Sequence, residues 1–99
     1  MRVAGRIRLI RLSRGALGDL AAGLRALLAE LEEAQWKSED EALKAYLGAE
    51  VDAHRLVIPL DELHCAVVAL NYQSEIALIE YAGLKSNRLR TPLRSGARL

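Results

Sequence analysis

Two neighbouring segments in the second half of this 99-residue chain are apolar at almost every position. Residues 63–72 and 75–82 each have the length of a β-strand, and a short polar turn at Gln73 and Ser74 separates them. A strand with one solvated face alternates apolar and polar residues, whereas a strand that is buried on both faces is apolar throughout. The two segments therefore predict an antiparallel hairpin that needs cover on both of its faces.

The residues before this hairpin predict a third strand and leave the start of the chain ambiguous. Residues 54–60 read as a strand in which Pro59 cannot donate a ladder hydrogen bond, so Pro59 lies at a sheet edge or ends the strand. Near the N-terminus, a short strand at Arg2–Ala4 followed by a helical turn fits about as well as one longer strand.

Two helices are predicted between these strand segments. Leucine and alanine recur at three- and four-residue spacing over residues 16–36, which gives one apolar stripe along a long helix. Ser38 and Glu41 have the spacing of a capping box, so a second helix should cover residues 39–47 and end at Gly48.

Together these elements predict an α+β fold in which an N-terminal helix pair packs on a small antiparallel sheet. We expect a single domain over residues 1–99, with residues 84–99 as a basic C-terminal tail. A helix pair covers one face of a sheet only. The tail, a second copy of the chain or a partner protein should cover part of the other face.

The charges are distributed unevenly along the chain. Residues 1–29 contain six arginines and one acid, residues 30–62 contain ten acids and three bases, and residues 63–99 contain five bases and two acids. If the fold brings the two basic ends together, they form one positive surface. Acids repel nucleic acid, so we expect any RNA site to lie on the side of the molecule opposite the acidic segment.

Composition also excludes several classes of protein. The chain has one cysteine, Cys65, so it cannot form an intramolecular disulfide, which favours a cytoplasmic location. No apolar run approaches the roughly 20 residues that a membrane-spanning helix needs. The two histidines and Cys65 do not have the spacing of metal ligands, so we expect neither a metal nor another cofactor.

Several short motifs follow one another between residues 36 and 83. They are Trp36-Lys37-Ser38 before the second helix, Arg55-Leu56-Val57-Ile58 in the first strand of the hairpin sheet, Val67-Val68 with Asn71-Tyr72 in the central strand and turn, and Ile76, Ile79, Tyr81 and Gly83 in the last strand. With the order of the elements, these motifs resemble the HigB branch of the RelE/ParE superfamily. The resemblance covers residues 16–83.

The resemblance implies the toxin component of a type II toxin–antitoxin system. Such a toxin inhibits translation as a ribosome-dependent, metal-independent mRNA endoribonuclease (an mRNA interferase), and a helix-turn-helix antitoxin neutralises it. The chain departs from the family at its C-terminal motif, where the family histidine falls at Lys85 and the family tyrosine at Arg88. Cations that bind phosphate are retained there, whereas the usual acid–base side chains are absent.

Site residues follow from the resemblance together with this departure. His64, at the position of a family tyrosine, is the candidate acid–base residue, and Lys85 and Arg88 are the other candidate catalytic residues. Lys37, Arg55, Lys85, Arg88 and Arg90 are the candidate ligands for RNA phosphates. Each position also has a structural alternative: His64 could be a hydrogen-bonded strand residue, and Arg55 could pair with a nearby acid.

Two further functional hypotheses stay open. The chain could be a catalytically inactive RelE-like module that binds protein and forms a homodimer through its sheet. It could also be an unrelated small α+β protein.

Overall fold

A five-stranded sheet forms the centre of the fold in the computed structural model, which describes residues 1–88. The strands are β1 (Arg2–Ala4), β2 (Glu50–Asp52), β3 (Arg55–Pro59), β4 (His64–Asn71) and β5 (Ile76–Leu84), in the spatial order β1-β5-β4-β3-β2. Neighbours from β2 to β5 are antiparallel, but β1 pairs with β5 in parallel. The prediction of a purely antiparallel sheet is therefore wrong, because the chain between β1 and β5 passes through three helices and the strands β2–β4, and no hairpin joins the two.

Four helices accompany the sheet within residues 1–88: α1 (Arg6–Ser13), α2 (Gly18–Glu33), α3 (Glu39–Lys44) and α4 (Lys85–Arg88). The Ser38 hydroxyl accepts from the Glu41 amide at 3.3 Å, as the capping box predicts, but α3 ends at Lys44, three residues before the predicted end at residue 47. At the N-terminus, the alternative of a short strand followed by helix is confirmed, and that helix extends through α1. None of the helices in this part of the chain is both long and apolar enough to cross a membrane.

The main core lies between the helices and one face of the sheet. Leu24, Leu27 and Leu31 of α2 pack there against alternate residues of the three central strands, namely Leu56, Ile58, Ala66, Val68, Ala77 and Ile79. A smaller cluster of Val57, Cys65, Val67 and Tyr81 occupies the opposite face. Residues 65–68 of β4 are all buried, which confirms that this strand is covered on both faces. The same prediction is wrong for β5, in which Leu78 is 39% exposed.

The edge strand β2 and its turn were not predicted. Ala53 and His54 form a two-residue turn between β2 and β3, and both have positive φ angles, of 53° and 67°. The predicted strand at residues 54–60 therefore begins one residue later, at Arg55. Pro59 ends β3 beyond the residues that β2 pairs with, in agreement with its missing N–H.

Candidate functional site

A histidine and an aspartate form a hydrogen-bonded pair at the turn between β3 and β4. The Asp61 carboxylate oxygen Oδ1 accepts from the amides of Leu63 and His64, at 2.9 and 2.7 Å, and lies 2.9 Å from His64 Nδ1. A carboxylate only accepts, so Nδ1 carries the proton and the Nε2 lone pair is left to accept another. The His64 side chain is 20% exposed, so its ring has a fixed orientation and still meets solvent.

The charge of Asp61 supports this arrangement. The hydrogen bond from His64 lowers the pKa of Asp61, with help from the two backbone amides and against the opposing effect of partial desolvation. Asp61 is therefore ionised at neutral pH. An ionised carboxylate at Nδ1 fixes the orientation of the imidazole ring.

Lys85 reaches the same end of the sheet from the neighbouring strand. Leu84 is the register partner of His64, and the Lys85 amide donates to the Leu63 carbonyl at 2.8 Å. Lys85, however, lines a groove with Val57 and Cys65 on the sheet face opposite the main core. His64 and Cys65 are consecutive strand residues and point to opposite faces. His64 and Lys85 therefore share one end of the sheet but leave it on different faces.

The remaining predicted site residues lie elsewhere or beyond the described part of the chain. The Arg55 guanidinium pairs with the Glu80 carboxylate across β4, which confirms the alternative that Arg55 binds an acid. Lys37 is exposed in the connection between α2 and α3, at the other end of the molecule. Arg88 ends α4, close in sequence to Lys85, and Arg90 lies outside the described residues.

Glu39 lies at the end of the sheet away from His64. Glu39, in the first turn of α3, lies 3.9 Å from His54 and contributes, after burial, to the raised pKa of Tyr72. Tyr72 directly follows the last residue of β4, whereas His64 is the first. Asp61 and Glu62 belong to the same acidic segment and adjoin His64, and Glu50 lines the groove with Lys85, so the expectation that an RNA site lies opposite the acidic segment is not confirmed.

The contact between Asp61 and His64 was not predicted from the sequence. The signal was present in the spacing, because an aspartate in a tight turn often accepts hydrogen bonds from amides two and three residues later. A histidine at the third position is then brought close to the same carboxylate. Within residues 1–88 there is no group of three His, Cys, Asp or Glu side chains that could hold a metal ion.

Comparison of the chain with protein-family models, with curated proteins and with solved structures finds no match in any of the three. The resemblance to HigB toxins therefore stays a prediction.

Proposed function

We propose that this protein is a toxin-type mRNA endoribonuclease resembling the HigB branch of the RelE superfamily, with a helix-turn-helix antitoxin as its partner. The observation that carries the proposal is the Asp61–His64 pair, with 2.9 Å between Oδ1 and Nδ1, at the beginning of β4. A histidine held by a carboxylate is suited to move a proton, and RNA offers a 2′-hydroxyl next to each phosphate.

In the proposed reaction, Nε2 of His64 takes the proton of a ribose 2′-hydroxyl. The 2′-oxygen attacks the adjacent phosphorus, the bond from phosphorus to the 5′-oxygen breaks, and the 5′-oxygen leaves with a proton from solvent. The products are a 2′,3′-cyclic phosphate and a free 5′-hydroxyl. Asp61 is a positioning residue that holds the ring. Lys85 leaves this end of the sheet on the other face, so it would bind a neighbouring phosphate of the same RNA strand and not the one that is cleaved.

A cleavage assay on purified protein tests this function. Labelled RNA of about 20 nucleotides, alone and as mRNA on ribosomes, is incubated with wild type, His64→Ala and His54→Ala, and the ends of the products are identified. Removal of a general base costs about 10²–10⁴-fold in rate. His54 is the matched control, because it is the other histidine and its side chain is 97% exposed. Equal cleavage by wild type and His64→Ala would show that His64 is not the base.

The alternative of a protein-binding module has an observation in its favour. Ile7 and Ile10 of α1 are each 44% exposed, and Leu17, just after α1, is 86% exposed. Neighbouring exposed apolar side chains often mark a surface for protein contact. Sedimentation of wild type and an Ile7→Ser/Ile10→Ser variant tests this alternative, which predicts self-association by the wild type alone.

A further inference from the structure

The first half of α2 lies over the end of the sheet that carries His64. A Cβ atom built on Gly23 would be 3.0 Å from the Leu60 carbonyl oxygen, so α2 contacts the turn between β3 and β4 there. The Leu60 amide in turn donates to the His64 carbonyl at 2.9 Å. The beginning of α2 is therefore next to the candidate site.

The end of α1 is brought to the same place. The Met1 amino group donates to the carbonyls of Glu32 and Ala34, both at 2.9 Å. Met1 precedes β1, which pairs with the beginning of β5, whereas His64 pairs with the end of β5, so α2 ends at the end of the sheet away from His64. Arg6, the first residue of α1, pairs with Glu32 near that end of α2. The two helices therefore run antiparallel, and α1 ends beside the beginning of α2.

This arrangement gathers three arginines near His64. Arg11 is in the last turn of α1, and Arg14 follows that helix directly. Arg25 precedes Glu32 by seven residues, about two helical turns, so it projects from the side of α2 that faces α1. All three are exposed, and none forms an ion pair with another residue of the described chain.

We propose that Arg11, Arg14 and Arg25 form a second binding surface for the RNA backbone, which we call the helical arginine surface. It lies on the helix-covered side of the sheet, the side to which His64 belongs, whereas Lys85 faces the other side. That this surface extends a cleavage site rests on the proposed function. That it binds RNA does not depend on the proposed function.

The helix dipole accounts for only part of this arrangement. It favours a cation in the last turn of a helix, which explains Arg11 but not Arg25 in the middle of α2. The exposed acids Asp19 and Glu62 also lie at this end and oppose the attraction. The three arginines outnumber these two acids, so the surface keeps a positive charge.

RNA binding measured by fluorescence anisotropy tests the helical arginine surface. The probe is a labelled RNA of about 20 nucleotides, and every protein carries His64→Ala so that the RNA stays intact. An Arg14→Gln/Arg25→Gln variant is compared with a control of equal charge change, Arg2→Gln/Lys44→Gln. Arg2 lies in β1, and Lys44 is the last residue of α3. Tyr46, two residues after Lys44, contacts Trp36, which follows the end of α2.

The two variants should differ in how RNA affinity depends on salt. Loss of two phosphate contacts reduces the slope of log affinity against log salt by about 1.4 for a single strand. We expect this reduction in Arg14→Gln/Arg25→Gln, with a slope close to that of the parent protein in the control. Equal slopes in the two variants would overturn the proposal. So would an Arg14→Gln/Arg25→Gln variant that binds RNA like the parent protein but differs from it in sedimentation, because the arginines would then contact protein and not RNA. If the parent binds with this dependence but wild-type protein cuts no RNA, the nuclease proposal fails and the surface stands.

Discussion

Substitution of Gly5 by alanine should separate α1 from β5 and destabilise the whole fold. Gly5 precedes α1 with a φ of 79°, in the left-handed region that costs a residue with a Cβ about 1–2 kcal/mol. A Cβ atom there would also lie 2.4 Å from the Ile79 carbonyl oxygen, in the centre of β5. Because both partners are backbone, α1 or β5 must move, which adds about 1–3 kcal/mol.

The expected loss in the free energy of unfolding is thus about 2–5 kcal/mol, a large part of the roughly 5–15 kcal/mol of a typical domain. Three other glycines separate the two causes. Gly18 has a positive φ and no atom within 4 Å of its built Cβ, Gly23 has the contact without a positive φ, and Gly15 has neither. Gly18→Ala should cost only the backbone contribution, about 1–2 kcal/mol.

The two remaining substitutions complete the comparison. Gly15→Ala should be neutral or stabilising by up to about 1 kcal/mol, because alanine restricts the unfolded chain. In Gly23→Ala, a gain of about 1 kcal/mol in helix propensity opposes the close contact. Urea unfolding followed by far-UV circular dichroism gives each free energy. If Gly5→Ala costs no more than Gly18→Ala, the close packing of α1 on β5 is refuted.

Three further predictions concern single groups. The Tyr46 hydroxyl is buried without a hydrogen-bond partner among the described residues, and its burial, followed by the nearby Glu30 carboxylate, raises the pKa of Tyr46. Tyr46→Phe should therefore leave the free energy of unfolding equal or raise it by about 1 kcal/mol. A clear loss of stability in urea unfolding would contradict this. The double substitution Ala53→Asn/His54→Gly supplies residues that accept positive φ, so it should stabilise by about 1–2 kcal/mol, and an unchanged melting temperature would show that the turn is not strained. The pKa of Asp61 is lowered in the folded state, so its contribution to stability is present above the ordinary pKa of about 4 and is lost as pH falls through the folded value. The difference in urea midpoint between wild type and Asp61→Asn should therefore shrink below about pH 4, and a constant difference would contradict the shift.

Local signals in the sequence predicted the elements that depend on neighbouring residues. The Ser38 cap, the stripe of α2 and the doubly buried strand β4 are examples, because spacing and composition decide them within about ten residues. β1 and α1 were left ambiguous since their pairing depends on β5, more than seventy residues away. β2 has three exposed residues and is joined to β3 by Ala53 and His54 instead of the usual asparagine and glycine, so it gave no signal.

The same distinction applies to the candidate site. His64 was predicted as a site residue, and its partner Asp61 could have been predicted from the hydrogen bonds that an aspartate forms in a tight turn. The sheet face on which Lys85 lies, in contrast, follows from the pairing of β4 with β5. That pairing has an irregularity between Val67 and Val68, which the sequence pattern does not reveal. The position of the helical arginine surface likewise depends on how α1 and α2 pack.

Cleavage of cellular RNA by the wild-type chain and its His64→Ala variant tests the central claim most directly. Each protein is induced alone in bacteria, with His54→Ala as the control, and the 5′ ends of mRNA are mapped at equal levels of folded protein. The proposed function predicts new 5′-hydroxyl ends and growth arrest for wild type and His54→Ala, and neither effect for His64→Ala. Intact mRNA in cells that express the wild type, or the same new ends with His64→Ala, would contradict it.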